Sequence, residues 1–290
     1  MILSTDTGII QNRFGFLPAL KMIREAGFDG ADLTLDCLPP EKDVLALPDR
    51  ERRAMADEMG RYAKELGLCF PQCHAPFDYR PGEDRGGKHY QDVVRSFEFA
   101  ARIGCRQMVI HTLTLPESVP TEERGRIDRE YLRSFLPYAR EFGVSIGVEN
   151  LFWRDQKRDC MCPRHGDPRH MNAFIDSLND PLFLCCCDVG HSALGGCEPE
   201  DFIAGIRPER MTMLHIHDVD YRNDLHTLPF LSKLNWRNIT GALARIGYRG
   251  AMNLEVLFFY EKFPDALIPD ALRIAARTAK ELASMVENAQ

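Results

Sequence analysis

The sequence predicts an α/β protein, a single (β/α)8 TIM barrel running through residues 1–290. Three observations predict it. Short apolar runs alternate with longer amphipathic ones from end to end, the pattern of parallel strands joined by crossover helices. Glycine follows helix after helix. Carboxylates and imidazoles close strand after strand, at the end where such barrels build their active sites.

The elements follow in order. A strand at residues 2–3 precedes a helix at 16–26, whose apolar residues recur with a 3.6-residue period and which Gly27 ends. Strand 31–35 leads to helix 50–66 and Gly67, and strand 68–74 to helix 90–103 and Gly104. Strand 107–111 leads to one long helix, 126–142, closed by Gly143. Strands 145–149 and 183–188 are followed by helices 170–178 and 199–205. Strand 212–217 feeds helix 236–246 with Gly247 behind it, and strand 251–256 feeds helix 264–286. No composition break or low-complexity linker interrupts the series, so one domain is expected. An open doubly wound sheet is the competing architecture, but the glycine-rich phosphate turn that would follow its first strand is missing.

With 44% hydrophobic residues the chain can build one large core, yet no window approaches the roughly 18 apolar residues of a membrane span. The first residues lack the basic start and apolar core of a signal peptide, so cytoplasm is the expected compartment. The ten cysteines include Cys185, Cys186 and Cys187 in an apolar strand, where reduced cysteine acts as a small hydrophobe. A net charge of −7 offers no long-range attraction for a polyanion, which makes nucleic acid an unlikely partner.

His74, His111, Glu149, Asp188, the pair His215 and His217, and Glu255 close the third to the eighth strand in turn. Six strands ending in such residues would crowd charge around one rim, and a bound cation neutralises it directly. Mixed carboxylate and imidazole ligands suit manganese, zinc, cobalt or iron better than calcium. Taken singly, His74 or His111 reads as a hydrogen-bonded structural histidine, and Glu149 or Glu255 as half of a buried pair with arginine. The joint pattern favours a metal.

The set His74-Ala75-Pro76, His111, Glu149-Asn150, Asp188-Val189-Gly190-His191, His215-Ile216-His217-Asp218, Asp224-Leu225-His226 and Glu255 resembles the xylose-isomerase-like barrels. That family includes sugar-phosphate isomerases and epimerases, ketose 3-epimerases and AP endonucleases of the endonuclease IV type. The resemblance implies one divalent cation (Mn, Mg, Co, Zn or Fe) on Glu149, Asp188, His215 and Glu255. His215 stands three residues before the acidic Asp218, as the family's ligand does, while His217 could meet the same spacing with Asp220. It further implies a carbohydrate or related keto substrate, isomerised or epimerised by proton transfer through a metal-stabilised enediolate, with Glu149 and Glu255 as the proton carriers. His74, His111, His191, His217, Asp224 and His226 would bind substrate.

Nuclease members hold three zinc ions on nine ligands, and this sequence offers a counterpart for each. Their neighbours differ, with Thr112-Leu113 after His111 and Leu151-Phe152-Trp153 after Asn150 where the nucleases carry Pro-Gly and a small polar stretch. A dehydratase or lyase on the same barrel is a further alternative. Phe14, Phe152 and Trp153 are candidate walls of the site or packing residues. Cys160, Cys162, His165 and His170 supply zinc-type ligands at an unmatched spacing, or belong to a lid with free thiols. Arg80, Arg85, Lys88 and His89 could meet a phosphate or form a solvated face, and Phe258, Phe259 and Tyr260 could serve a homo-oligomer contact.

Overall fold

A computed structural model of the chain describes residues 1–35, 42–77, 86–116, 118–155 and 159–289. Eight parallel strands form the expected barrel: β1 (Leu3–Asp6), β2 (Gly30–Thr34), β3 (Cys73–His74), β4 (Gln107–Ile110), β5 (Ser145–Glu149), β8 (Phe183–Asp188), β9 (Met211–His215) and β10 (Met252–Leu254). Their order is β10-β1-β2-β3-β4-β5-β8-β9. One parallel bridge between Ile216 and Leu254 closes the ring, with Ile216 N donating to Asn253 O and Glu255 N to Ile216 O, each at 3.0 Å. The remaining strands, β6 (Leu151–Asp155) and β7 (Cys160–Arg164), form an antiparallel hairpin after β5.

Among the described residues twelve α-helices accompany the strands: α1 (Gly8–Phe14), α2 (Phe16–Ala26), α3 (Asp49–Leu66), α4 (Lys88–Ile103), α5 (Thr121–Ser134), α6 (Leu136–Phe142), α7 (Pro168–Leu178), α8 (Val189–Leu194), α9 (Pro199–Gly205), α10 (Trp236–Arg245), α11 (Leu257–Glu261) and α12 (Ile268–Asn288). On α12, Ile268, Leu272, Ala275, Ala279, Leu282 and Val286 make one buried face. That face packs on α2, α10, β1 and β10 and covers the outside of the barrel where first and last strands meet. All five glycines expected to end helices adopt positive φ, from 63° at Gly143 to 109° at Gly27, which L-residues with a Cβ avoid. No helix among the described residues is long and apolar enough to cross a membrane.

Several sequence boundaries move, four of them for a clear physical reason. The first strand extends to Asp6 because Ser4, Thr5 and Asp6 are buried although polar. The third shrinks to two residues, since Pro71 cannot donate to a ladder and only an isolated bridge, Gly30 to Cys69, survives before it. The long helix at 126–142 is two helices meeting at Phe135, where Pro137 in the first turn of α6 supplies no amide hydrogen. The seventh strand stops at His215, so His217 lies beyond it.

Strand alternation sorts the remaining side chains. Val109, Cys186 and Met213 form a small apolar cluster apart from the main core, which takes in Cys185 and Cys187. Met213 passes so close to Gly147 that a Cβ there would lie 2.6 Å from its methyl carbon. The same alternation continues to His111, Glu149, Asp188 and His215, one pleat further along their strands.

Candidate metal centre

Glu149 ends β5, Asp188 ends β8, His215 ends β9, and Glu255 follows β10. Their ligand atoms lie within 4.8 Å of one another, and all four residues are buried. His215 Nδ1 stands 3.3 Å from Glu149 Oε1, 3.5 Å from Glu255 Oε2 and 3.9 Å from Asp188 Oδ2. Neither His215 Nδ1 nor Glu255 Oε2 has a hydrogen-bond partner among the described residues.

Among the described residues the ion-pair partners of these three carboxylates are histidines throughout, and none is an arginine. His111 Nε2 donates to Glu149 Oε2 at 2.8 Å, and His74 Nε2 lies 3.5 Å from the same oxygen. His191 Nδ1 approaches Glu149 Oε1 at 3.0 Å. Burial works against ionisation of Glu149, yet His215, His111 and His191 around it hold its carboxyl well below the usual range. Glu255 is driven the other way: burial, reinforced by Glu149 and Asp188, outweighs His215 and His226 and raises its carboxyl. Burial drives the His111 imidazole down to about 4, so it stays neutral. Three carboxylates around an imidazole nitrogen that has no hydrogen-bond partner among the described residues make a set of hard and borderline donors. A divalent ion at the usual ligand distances of about 2.0–2.2 Å fits between atoms so spaced.

A second group adjoins the first. His191, His217, Asp224 and His226 also bring ligand atoms within 4.8 Å of one another, and a third grouping joins His74, Glu149 and His215. His217 Nε2 is 3.0 and 3.1 Å from the two Asp188 oxygens, and its ring stacks on His226 at 3.9 Å. His226 Nε2 donates to Asp224 Oδ2 at 3.2 Å. His215 and His217 thus stand in different groups, His215 among the strand-end carboxylates and His217 beyond them. Gly190 is required beside it, because a Cβ there would fall 2.1 Å from His217 Cε1.

Several polar residues that hold this arrangement escaped the sequence reading. Asn150 Nδ2 donates to Asp188 O and Asp188 N donates to Asn150 Oδ1, both at 2.8 Å, so one amide clamps β5 to β8 beneath the carboxylates. Asp188 also caps α8, accepting from His191 N at 2.6 Å, which fixes the Asp-to-His offset. Asp218 accepts from Phe230 N, Ser232 N, Leu234 N and Trp236 Nε1 at 3.0–3.1 Å. It thereby anchors the connection that carries Asp224 and His226. Asp6 and Asp32 lie buried nearby, and burial, with Glu255 and Asp32 as neighbours, pushes Asp6 up to about 8. Asp32 carries a signal in the sequence, as an acidic residue inside the apolar run 31–35, whereas Asp6 follows the polar Ser4 and Thr5 and carries none.

The groups face a cavity of about 1280 Å³ that reaches from Glu149 and Glu255 past the β6–β7 hairpin to α5 and α7. Phe152 and the 42%-exposed Trp153 line it, Phe152 also packing against the core, whereas Phe14 packs against the core alone. Phe258 is exposed at the rim, but Phe259 and Tyr260 are buried and offer no partner surface. Cys160, Cys162, His165 and His170 join none of the cation groups among the described residues, and His165 packs on Phe174 instead. Arg80 and Arg85 lie outside the described residues. Lys88 pairs with Asp92 and Asp43, and His89 with Tyr131.

A model of the family described as xylose isomerase-like TIM barrel matches residues 20–278. An uncharacterised protein of Methanocaldococcus jannaschii is 22% identical over 265 residues, covering 85% of this chain and 84% of its own length. Among solved structures, a D-tagatose 3-epimerase-like protein superposes with a TM-score of 0.75 at 15% identity, and a D-psicose 3-epimerase in the presence of D-fructose with 0.73 at 14%, each covering 99% of both chains. An IolI protein with a zinc atom bound gives 0.71 at 14%, covering all of this chain and 99% of its own. At such identities these likenesses speak for the fold.

Proposed function

This chain belongs to the xylose isomerase-like TIM-barrel family, and on that premise we propose that it is a divalent-metal-dependent isomerase or epimerase of a carbohydrate or related keto compound. The observation that carries the reading is the convergence of Glu149, Asp188, Glu255 and His215 Nδ1 on one buried point with no lysine or arginine among their ion pairs within the described residues. Four of the structural neighbours are sugar epimerases by name, which supports the carbohydrate class.

Glu149, Asp188, His215 and Glu255 would hold the cation, which when bound would act as a Lewis acid on a carbonyl and its neighbouring hydroxyl. The residues do the rest. One of Glu149 and Glu255 takes the proton from the carbon beside the carbonyl and the other returns it. Return to the opposite face of that carbon gives an epimer, and return to the neighbouring carbon gives an isomer. His74 and His111 keep Glu149 oriented through its Oε2. His191, His217, Asp224 and His226 present donors and acceptors to substrate hydroxyls, and Phe152 and Trp153 shield the apolar face of the sugar.

A second reading has its own observation: the two further groupings make a place for up to three zinc ions, as in AP endonucleases of this family. The acidic balance of the chain opposes it, since tracking phosphates needs lysine and arginine. Elemental analysis of protein purified from metal-supplemented cells tests both. About one ion per chain with ketose interconversion and no incision of abasic DNA supports the isomerase; about three zinc ions with incision supports the nuclease; no divalent metal overturns both.

A further inference from the structure

Asp32 sits within β2, buried, with its side chain among polar residues inside the barrel. Its Oδ2 accepts from Gln72 Nε2 and from Asn253 Nδ2, both at 2.8 Å. Gln72 is itself oriented, donating to Leu214 O at 3.3 Å and accepting from Leu214 N at 3.4 Å. The carboxylate is therefore held in place by two amide side chains, one just before β3 and one in β10, and has no lysine or arginine partner among the described residues. Burying a charge in that way is costly unless something else uses it.

Facing it is the far side of His215. His215 Nε2 lies 3.6 Å from Asp32 Oδ2, just beyond a hydrogen bond, while its Nδ1 looks toward Glu149, Glu255 and Asp188. Asp32 Oδ1 and His215 Nε2 are both buried without a hydrogen-bond partner. A neutral imidazole carries one proton, and the nitrogen that bears it cannot be a ligand. For Nδ1 to offer a lone pair to a cation, the proton must sit on Nε2, and a fixed acceptor stands opposite that atom.

We propose that Asp32 is a positioning residue that accepts the Nε2 proton of His215 and so commits Nδ1 to metal binding. The inference rests on the metal reading above. It accounts for a buried carboxylate that joins none of the cation groups among the described residues yet is held by two amides. Such outer partners of a ligating histidine fix its tautomer and ring orientation and strengthen its donor nitrogen, and losing one typically weakens metal binding about 10–100-fold.

The test uses the full chain. Competition with a chromophoric chelator gives the Mn²⁺ dissociation constant of wild type and Asp32→Asn, and nitrogen-15 histidine spectra of the Zn²⁺-loaded protein report which ring nitrogen bears the proton. Asp32→Asn is expected to bind Mn²⁺ about 10–100-fold more weakly, while the metal-free variant melts no lower than wild type because a buried charge without a lysine or arginine partner among the described residues has gone. A residue that only packs would lower the melting temperature and leave the tautomer alone. Asn253→Ala, which removes one of the two amides, falls between, and it carries the test together with the wild-type spectrum if Asp32→Asn does not fold. Mn²⁺ affinity of Asp32→Asn within about twofold of wild type overturns the proposal, as does a wild-type spectrum without a proton on Nε2. Wild type that binds neither ion overturns the metal reading itself.

Discussion

The residues at the strand ends and those supplied by the connections beyond them adjoin, with members of both lining one cavity, but are held by different means. Glu149, Asp188 and His215 are terminal residues of hydrogen-bonded strands, and Glu255 follows its strand directly with its amide bonded to Ile216. Their positions are set by ladder register. His191 depends on α8, and His217, Asp224 and His226 on an irregular segment in which Tyr221, His226 and Phe230 adopt positive φ. That segment is drawn together by one carboxylate, Asp218. Strand ends fix geometry; connections fix identity at lower rigidity, and backbone strain is tolerated there because many hydrogen bonds determine it. The expected division is a shared site in which the strand set supplies chemistry and the connection set supplies selectivity.

The comparison can be broken in four ways, the largest effect first. Glu149→Gln or Glu255→Gln should lower ketose turnover by about 10² or more with the circular dichroism spectrum unchanged, since general acid–base groups contribute on that scale. A surviving rate above about a tenth of wild type would remove that residue from proton transfer. Asp218→Ala leaves four donors without their acceptor, of which the buried Leu234 N and Trp236 Nε1 cost about 1–3 kcal/mol each before relaxation, which predicts a clear fall in melting temperature and a raised KM. Metal affinity in that variant should stay close to wild type, because no residue of the strand set touches Asp218. Loss of metal together with stability would show that the two sets are one unit.

Gly190→Ala forces His217 aside and should cost about 1–3 kcal/mol, with the substrate constants changed more than the metal constant. Equal changes in both would make His217 part of the cation site. The smallest effect concerns His165, beside the hairpin, which burial, with Arg164 and His170 adding, drives down to about 3. Its folded pKa lies below the unfolded one, so the stability it contributes is present above about pH 6.5 and is lost as pH falls toward 3. Urea midpoints at pH 7 and pH 4 should therefore separate more for wild type than for His165→Asn, a residue that tolerates the φ of 58° found there. Identical separations would show that this imidazole takes up no proton in acid.

What the sequence made legible follows from the same division. Strand ends carry their signal locally: a carboxylate or histidine closing an apolar run is visible without knowing the fold, and Glu149, Asp188, His215 and Glu255 were read that way. His217 could not be separated from His215, because a two-residue offset says nothing about where a ladder stops. The first strand was cut short at Leu3 since Ser4, Thr5 and Asp6 look like a turn until the polar interior is known. Asp32 and Asn150 were overlooked for a related reason, as each acts through a partner far along the chain, Asn253 and Asp188. The antiparallel hairpin at β6 and β7 looked like an insertion of unmatched ligands, because its cysteines masked the alternation of a two-stranded ribbon.

The single bridge that closes the barrel lies between Ile216, next to His215, and Leu254, next to Glu255. This seam is held by two amide protons, those of Ile216 and Glu255, and the molecule can breathe there without disturbing its longer ladders. Hydrogen exchange at these two amides should thus be faster than in β5 or β8, and slow when a cation ties His215 to Glu255. The ion would then serve as the clasp of the barrel, joining last strand to seventh across the place where the backbone joins them least.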